Sequence, residues 1–270
     1  MRLRPCAAPL FVPGDRPERF ATAAASGADA VIIDLEDAVA PGAKAKARAS
    51  MRADFTDLPV YVRINPPGTP WHNDDIDAVL GLPFAAIIVP KAQDGAGLAA
   101  LAVRAGATHP LIWLVETAEG LATARALAAR PGVARLAFGS IDYCADLGCA
   151  HTRQVLLAAR TELVLASRLA KLAAPVDGVT ADVRNEALTE DDARHAAEMG
   201  FGGKLCIHPC QVAPVLRGLQ PSADEIAWAE SVLAAEGGVS MLGGMMIDDA
   251  VKQRAAVVLA RRAPHPVTRV

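Results

Sequence analysis

AVIIDLEDAVAP, residues 30–41, is the stretch that sets the reading of the whole chain. Ala30, Val31, Ile32 and Ile33 form a continuous apolar run. Such a run, rich in β-branched residues and bounded by breakers, belongs to a strand covered on both faces, as in a parallel sheet. Asp34, Glu36 and Asp37 then place three carboxylates at the strand's carboxyl end, ahead of the helix-breaking Pro41. Carboxylates this close repel one another unless a cation, an arginine or a bound ligand sits among them. A solvated turn is the plainer alternative. We read the stretch as the rim of an active site and test the rest of the chain against that reading.

Working outward, short apolar runs recur at residues 8–12, 60–64, 85–89, 111–115, 135–138, 177–181 and 203–207. With residues 30–34 they predict eight strands. Helical text separates them, at 17–26, 43–53, 74–80, 96–105, 118–129, 153–172 and 189–199. Pro17 stands at a helix start, and Gly27, Gly106 and Gly200 stand directly after helix ends, as helix-terminus preferences require. Eight strands alternating with helices predict an α/β fold, a (β/α)8 TIM barrel, with a doubly wound open sheet as competitor. No GxGxxG follows the first strand, which weakens a dinucleotide-binding form of that competitor.

The barrel is expected over residues 1–220 and a C-terminal helical extension over 221–270. In that tail, helices are expected near 211–216, 223–235 and 249–261, with Gly237, Gly238, Gly243 and Gly244 as a joint. A glycine-jointed arm suits packing on a neighbouring subunit or back on its own barrel.

The chain's 270 residues carry a net charge of −3, which makes no electrostatic case for nucleic acid or an anionic membrane. No apolar run approaches the roughly 20 residues that span a bilayer. Pro9 and Pro13 interrupt the short apolar start, so no signal-peptide core is expected. Cys6, Cys144, Cys149, Cys206 and Cys210 are odd in number and contain no CxxC. Reduced thiols in a cytoplasmic protein are expected.

Barrel active sites lie at the carboxyl ends of strands, and polar residues cluster there. Strand three contains Arg63 and is followed by Asn65; Lys91 follows strand four, Glu116 and Thr117 strand five, Ser140 and Asp142 strand six, Asp182 strand seven, and His208 strand eight. Glu116 and Asp142, after neighbouring strands, suit Mg²⁺, which leaves positions to water and substrate. Glu116 could instead cap the helix after it. Arg63, on an apolar strand, requires a carboxylate partner, from Glu36, from Asp34 or from substrate. Arg16 and Arg19 suit phosphate or ordinary surface charge. His208, flanked by Cys206 and Cys210, invites a zinc label, but the fourth ligand and a CxxC-like pair are lacking; a structural histidine is expected. Gly139 and Gly178 are expected to permit close backbone approach.

Ordered pieces of this sequence then resemble the citrate lyase β-subunit-like family of the HpcH/HpaI aldolase and citrate lyase superfamily. They are LFVPGDRPERF, GADAVIIDLEDAVAP with Lys44 and Arg48, VRINPPGTPWHNDD, VPKA, LVETAEGL, FGSIDYCADLG, GFGGKLCIHPCQV, PSADEIAWA and MMID. The resemblance implies a TIM barrel, trimeric or a dimer of trimers, that makes or breaks a carbon–carbon bond in a 3-hydroxyacyl thioester. It implies Glu116 and Asp142 as Mg²⁺ ligands, Arg63 at the keto-acid portion, Arg16 near the CoA phosphates, and Asp248 reaching a neighbour's site as acid or base. Glu36 is a further candidate, for the hydroxyl proton or for orienting Arg63. The tail Asp is followed by Asp249 and Ala250 where relatives place a proline after one residue, Asn185 stands where an acid is common, and Ser140 and Cys144 vary the strand-six motif. A CoA-independent pyruvate aldolase and a non-catalytic keto-acid or CoA-binding component are the alternatives.

Overall fold

The computed structural model describes residues 3, 6–235, 240–242 and 245–262. The strands are β1 (Pro9–Pro13), β2 (Ala30–Asp34), β3 (Val60–Arg63), β4 (Ala86–Val89), β5 (Leu111–Val115), β6 (Val133–Phe138), β7 (Val176–Asp177) and β8 (Gly203–Lys204). They form one parallel sheet in chain order. The sheet closes on itself: Lys204 N–H donates to Ala7 O at 2.8 Å, Cys206 N–H to Pro9 O at 2.9 Å, and Phe11 N–H to Cys206 O at 2.9 Å. The anticipated (β/α)8 barrel is therefore present, and the open sheet is excluded. β7 and β8 are shorter than the sequence predicts. Past Lys204 the chain stays extended through its bonds to β1 although the ladder with β7 has ended.

Side-chain alternation sorts each strand into two layers. Ala30, Ile32, Tyr61, Ile88, Ile112, Leu114, Ala137 and Leu205 fill the barrel interior. Val31, Ile33, Val62, Ile87, Trp113, Val115 and Phe138 pack outward under the helices. Both faces are buried, which is why these strands read as unbroken apolar runs. The same parity, continued past the last apolar residue, turns Asp34, Arg63 and Glu116 toward the mouth.

The surrounding helices are α1 (Phe20–Ala24), α2 (Lys44–Ala49), α3 (His72–Leu80), α4 (Ala96–Ala105), α5 (Ala118–Ala122), α6 (Ala124–Ala128), α7 (Ser140–Leu147), α8 (Arg153–Leu169), α9 (Glu186–Met199) and α10 (Val212–Leu219). The single helix expected at 118–129 is broken at Thr123, whose φ of −105° and ψ of 8° interrupt it. α7 is an addition to the expected helices, begun by the residues read only as a polar strand end. In the tail, α11 (Ala223–Ala234) starts with a Ser222–Glu225 capping box. A short antiparallel pair, β9 (Ser240–Leu242) and β10 (Met245–Ile247), leads to α12 (Asp249–Arg261). Ala229, Val232, Ile247, Ala255 and Val258 make a small core separate from the two barrel layers. The glycines of the expected joint, Gly237, Gly238, Gly243 and Gly244, lie outside the described residues. Among the described residues no helix is long and apolar enough to cross a membrane.

Candidate active site

The strand ends enclose a cavity of about 380 Å³, walled by Phe11, Asp34, Asp37, Arg63, Glu116, Ser140 and Asp142 among others. Its best-defined group is Arg63. The β2–β3 register sets Asp34 beside Arg63, and Asp34 takes the guanidinium in a fork, Nε to Oδ1 at 2.7 Å and Nη2 to Oδ2 at 2.6 Å. Asp34 also accepts the backbone N–H groups of Glu36 and Ala38, so both of its oxygens are already engaged. Asp37 accepts from Nη1 at 3.1 Å, and the Phe11 ring lies 4.8 Å below the guanidinium carbon. The three acids of the opening stretch thus gather round an arginine, one of the partners their crowding demands.

Glu36 stands behind Arg63 and is not part of the cavity wall. Its Oε2 lies 2.9 Å from Nη1 but is not aligned to accept a hydrogen bond. Burial pushes its carboxyl up to about 8, outweighing the attraction of Arg63, while Asp37 and Glu116 add to the rise. The loop is pinned from below by Lys44, whose buried Nζ donates to the carbonyls of Leu35 and Glu36 at 2.8 and 2.7 Å. Arg48 is similarly structural. It binds Asp75 at 2.8 Å, and Asp75 in turn accepts both N–H groups of Asn65, fixing the chain just after β3.

Glu116 continues the inward parity of Ile112 and Leu114. It does not cap α5; Thr117 does, accepting from Gly120 N–H at 3.0 Å. Glu116 Oε1 accepts the Lys91 N–H at 2.7 Å, and Lys91 adopts a left-handed φ of 48° to present it. A Cβ on Gly139 would lie 2.2 Å from Glu116 Oε2 and one on Gly178 2.1 Å from Ser140 Oγ. The close approach expected of both glycines is therefore real. Burial pushes Glu116 up to about 7, opposed by the Lys91 N–H and reinforced by Asp142.

Asp142 sits in the first turn of α7 and faces the same cavity. Among the described residues, neither Glu116 nor Asp142 has a side-chain cation within 4 Å, and no group of three or more His, Cys, Asp and Glu is arranged for a metal. Two carboxylates without thiol or imidazole company fit a hard divalent ion that keeps water and substrate oxygens, as Mg²⁺ does. They do not fit zinc.

The remaining sites are more dispersed. Arg16 is exposed after β1 and does not line the cavity. Asp248 is the N-cap of α12, accepting from Val251 N–H at 2.9 Å, and is likewise absent from the wall. Asn185 caps α9, and His208 caps the turn Pro209–Gln211, the structural role expected of it. The sequence reading missed Phe11, which parity on β1 could have placed inward. It also missed the bond between Ser140 Oγ and His151 Nε2 at 2.9 Å, for which no local pattern exists.

A closed barrel with this mouth matches one family model, HpcH/HpaI aldolase/citrate lyase, over residues 8–209. The chain belongs to that family. A citrate lyase subunit beta-like protein of Mycobacterium tuberculosis is 38% identical over 93% of this chain and 94% of its own length. A (3S)-malyl-CoA thioesterase of Cereibacter sphaeroides is 32% identical over 94% of this chain and 91% of its own length. Among solved structures, protein CitE from M. tuberculosis in complex with magnesium, acetoacetate and coenzyme A superposes with a TM-score of 0.87 at 36% identity, covering 97% of this chain and 100% of that one. The resemblance of the HpcH/HpaI motifs is thus matched by the fold along nearly the whole chain.

Proposed function

We propose that this member of the HpcH/HpaI family is a Mg²⁺-dependent carbon–carbon lyase. It cleaves a 3-hydroxyacyl-CoA-type thioester, of the citramalyl-CoA, malyl-CoA or citryl class, into a 2-oxo acid and an acetyl thioester. The observation that carries the reading is that Glu116, Asp142 and Arg63 line one cavity at the barrel mouth. The first two hold the metal and the third holds an anionic or carbonyl oxygen. Relatives solved with magnesium and coenzyme A support the same reading.

Bound at Glu116 and Asp142, Mg²⁺ supplies Lewis acidity at the substrate's hydroxyl and carboxylate oxygens. Arg63, held rigid by Asp34 and stacked on Phe11, turns its remaining donors to the hydroxyl oxygen as that oxygen becomes a carbonyl. Preorganised donors of this kind act without reorganising during the reaction. The bond between the hydroxyl-bearing carbon and the carbon next to the thioester breaks, and its electron pair passes into the thioester enolate. The hydroxyl proton passes to water in the cavity, and a proton is gained at the acetyl carbon. Asp248, reaching from a neighbouring subunit's arm, is the acid for that second proton. Glu36 acts through Arg63 as a positioning residue, and Arg16 lies on the approach of the CoA phosphates. The assembly is a cytoplasmic homotrimer or dimer of trimers, the arm of residues 221–270 lying at the interface with the barrel of residues 1–220.

The thioesterase relative favours a second reading, in which hydrolysis of the thioester replaces carbon–carbon cleavage. One assay separates them. Purified protein with Mg²⁺ is offered a panel of 3-hydroxyacyl-CoA thioesters while 2-oxo acid and free thiol are followed separately. Oxo acid without free CoA supports the lyase; free CoA with intact hydroxy acid supports the hydrolase. Turnover of pyruvate and an aldehyde in the absence of CoA, untouched by Arg16→Ala, would replace both with an aldolase.

A further inference from the structure

The cysteines of this chain are free thiols, but Cys144 and Cys149 are not independent. α7 ends in a left-handed Gly148, φ 67° and ψ 32°. The Cys149 N–H returns to the Cys144 carbonyl at 3.0 Å and the Gly148 N–H to the Ala145 carbonyl at 3.4 Å. This is a Schellman turn, whose flanking residues meet side chain to side chain. In this chain the residues at those two positions are cysteines, and the Cys144 thiol donates to the carbonyl of Ala150, the residue after Cys149, at 3.7 Å. The backbone bond holds their Cα atoms within about 7 Å, at the edge of or inside the span a disulfide bridges. Cys144 is buried and Cys149 half-buried, so an oxidant meets Cys149 first.

We propose that Cys144 and Cys149 are a peroxide-sensitive dithiol that closes to a disulfide across the end of α7. Hydrogen peroxide oxidises the Cys149 thiol to a sulfenic acid and is reduced to water. The Cys144 sulfur then attacks the Cys149 sulfur, forming the S–S bond, and the hydroxyl leaves with the Cys144 proton as a second water. A thiol reductant returns both to the starting state. The site borders the catalytic wall: α7 carries Asp142 two residues before Cys144, and the loop that carries Cys149 continues to His151, bonded to Ser140.

Cys210 is the competing target, since His208 Nδ1 lies 2.9 Å from its Sγ. The test therefore has to localise the product. Native protein is treated with hydrogen peroxide, free thiols are alkylated, and tryptic peptides are weighed. Cys144 and Cys149 fall in the one peptide between Arg135 and Arg153. We expect that peptide to lose about 2 Da and resist alkylation at both cysteines, and to regain both on reduction. In Cys144→Ser the sulfenic acid at Cys149 persists and is trapped by dimedone. The proposal is overturned if both cysteines of the wild-type peptide remain alkylatable while Cys210 is oxidised. It is equally overturned if Cys149 reaches sulfinic acid with Cys144 still free.

Discussion

Glu116 packs against Gly139 so tightly that a Cβ there would stand 2.5 Å from the Glu116 Cβ and nearer still to Oε2. The carboxyl end of β6 is thereby shaped around the carboxylate that ends β5. Gly139→Ala must displace the stem of Glu116 as well as its tip. We expect Mg²⁺ affinity to fall at least about tenfold and stability to drop by about 1–3 kcal/mol, the usual cost of overpacking. Calorimetric titration and urea unfolding check the two effects. Glu116→Gln and Asp142→Asn should each weaken Mg²⁺ binding without the packing cost.

Metal binding should also depend on pH. Burial pushes Glu116 up to about 7, and a carboxyl ligates only when deprotonated. Affinity should rise by about tenfold per unit below pH 7 and level off above it. Proton release should show as buffer-dependent heats. The metal-free fold responds in the opposite sense. Because Glu116 and Glu36 titrate above their ordinary value of 4.5 in the folded state, the folded chain holds more protons than the unfolded one. Their contribution to stability is full below about pH 4.5 and is lost as pH rises through 7 and 8. Melting temperature against pH, with and without Mg²⁺, reads both trends.

Asp34→Ala should remove the fork that holds Arg63 and leave a buried guanidinium with weaker partners. A loss of about 3–5 kcal/mol is expected for breaking such a pair. Arg63→Lys keeps the charge but not the fork, and should lower kcat by about 10²–10³ with less effect on folding.

Asp248 caps α12, and the proposed proton transfer can be separated from that cap by mutation. Asp248→Ala should cost about 1 kcal/mol through the lost cap on α12 and lower kcat by about 10²–10⁴ through the lost proton transfer. Asp248→Asn keeps an acceptor for Val251 N–H, so it should retain stability while losing the same activity. If the arm serves a neighbour, hybrid oligomers of Asp248→Ala and Glu116→Gln chains should recover activity that neither possesses alone. Normal turnover by Asp248→Asn would remove the residue from the chemistry.

Arg16→Ala should raise KM for a CoA thioester by about tenfold and leave kcat nearly unchanged, because a phosphate contact far from the reacting carbon binds ground and transition states alike.

The barrel was legible wherever a strand is buried on both faces, because β-branched runs such as Val31–Ile32–Ile33 have no other stable use. The ends of β7 and β8 were not legible, since hydrogen bonds to remote partners such as Ala7 and Pro9 decide them. Glu116, Asp142 and Arg63 could be placed at the mouth by position after a strand. What position could not specify was who holds whom. Asp34, Glu36 and Asp37 were equal candidates as text, and only the register makes Asp34 the forked partner. The Ser140–His151 bond lay beyond reading because a helix, its cap and a loop intervene.

Closure through β1 has a consequence for how the molecule loosens. A parallel sheet this size would ordinarily end in strands with unpaired N–H and C=O groups, a template for foreign chains. Here the two shortest strands, β7 and β8, need not defend an edge. They form a thin seam in a ring, held by their neighbours, and residues just past them, Val179, Leu205 and Ile207, line the same cavity as Arg63 and Glu116. Loosening of that seam would therefore open the cavity itself.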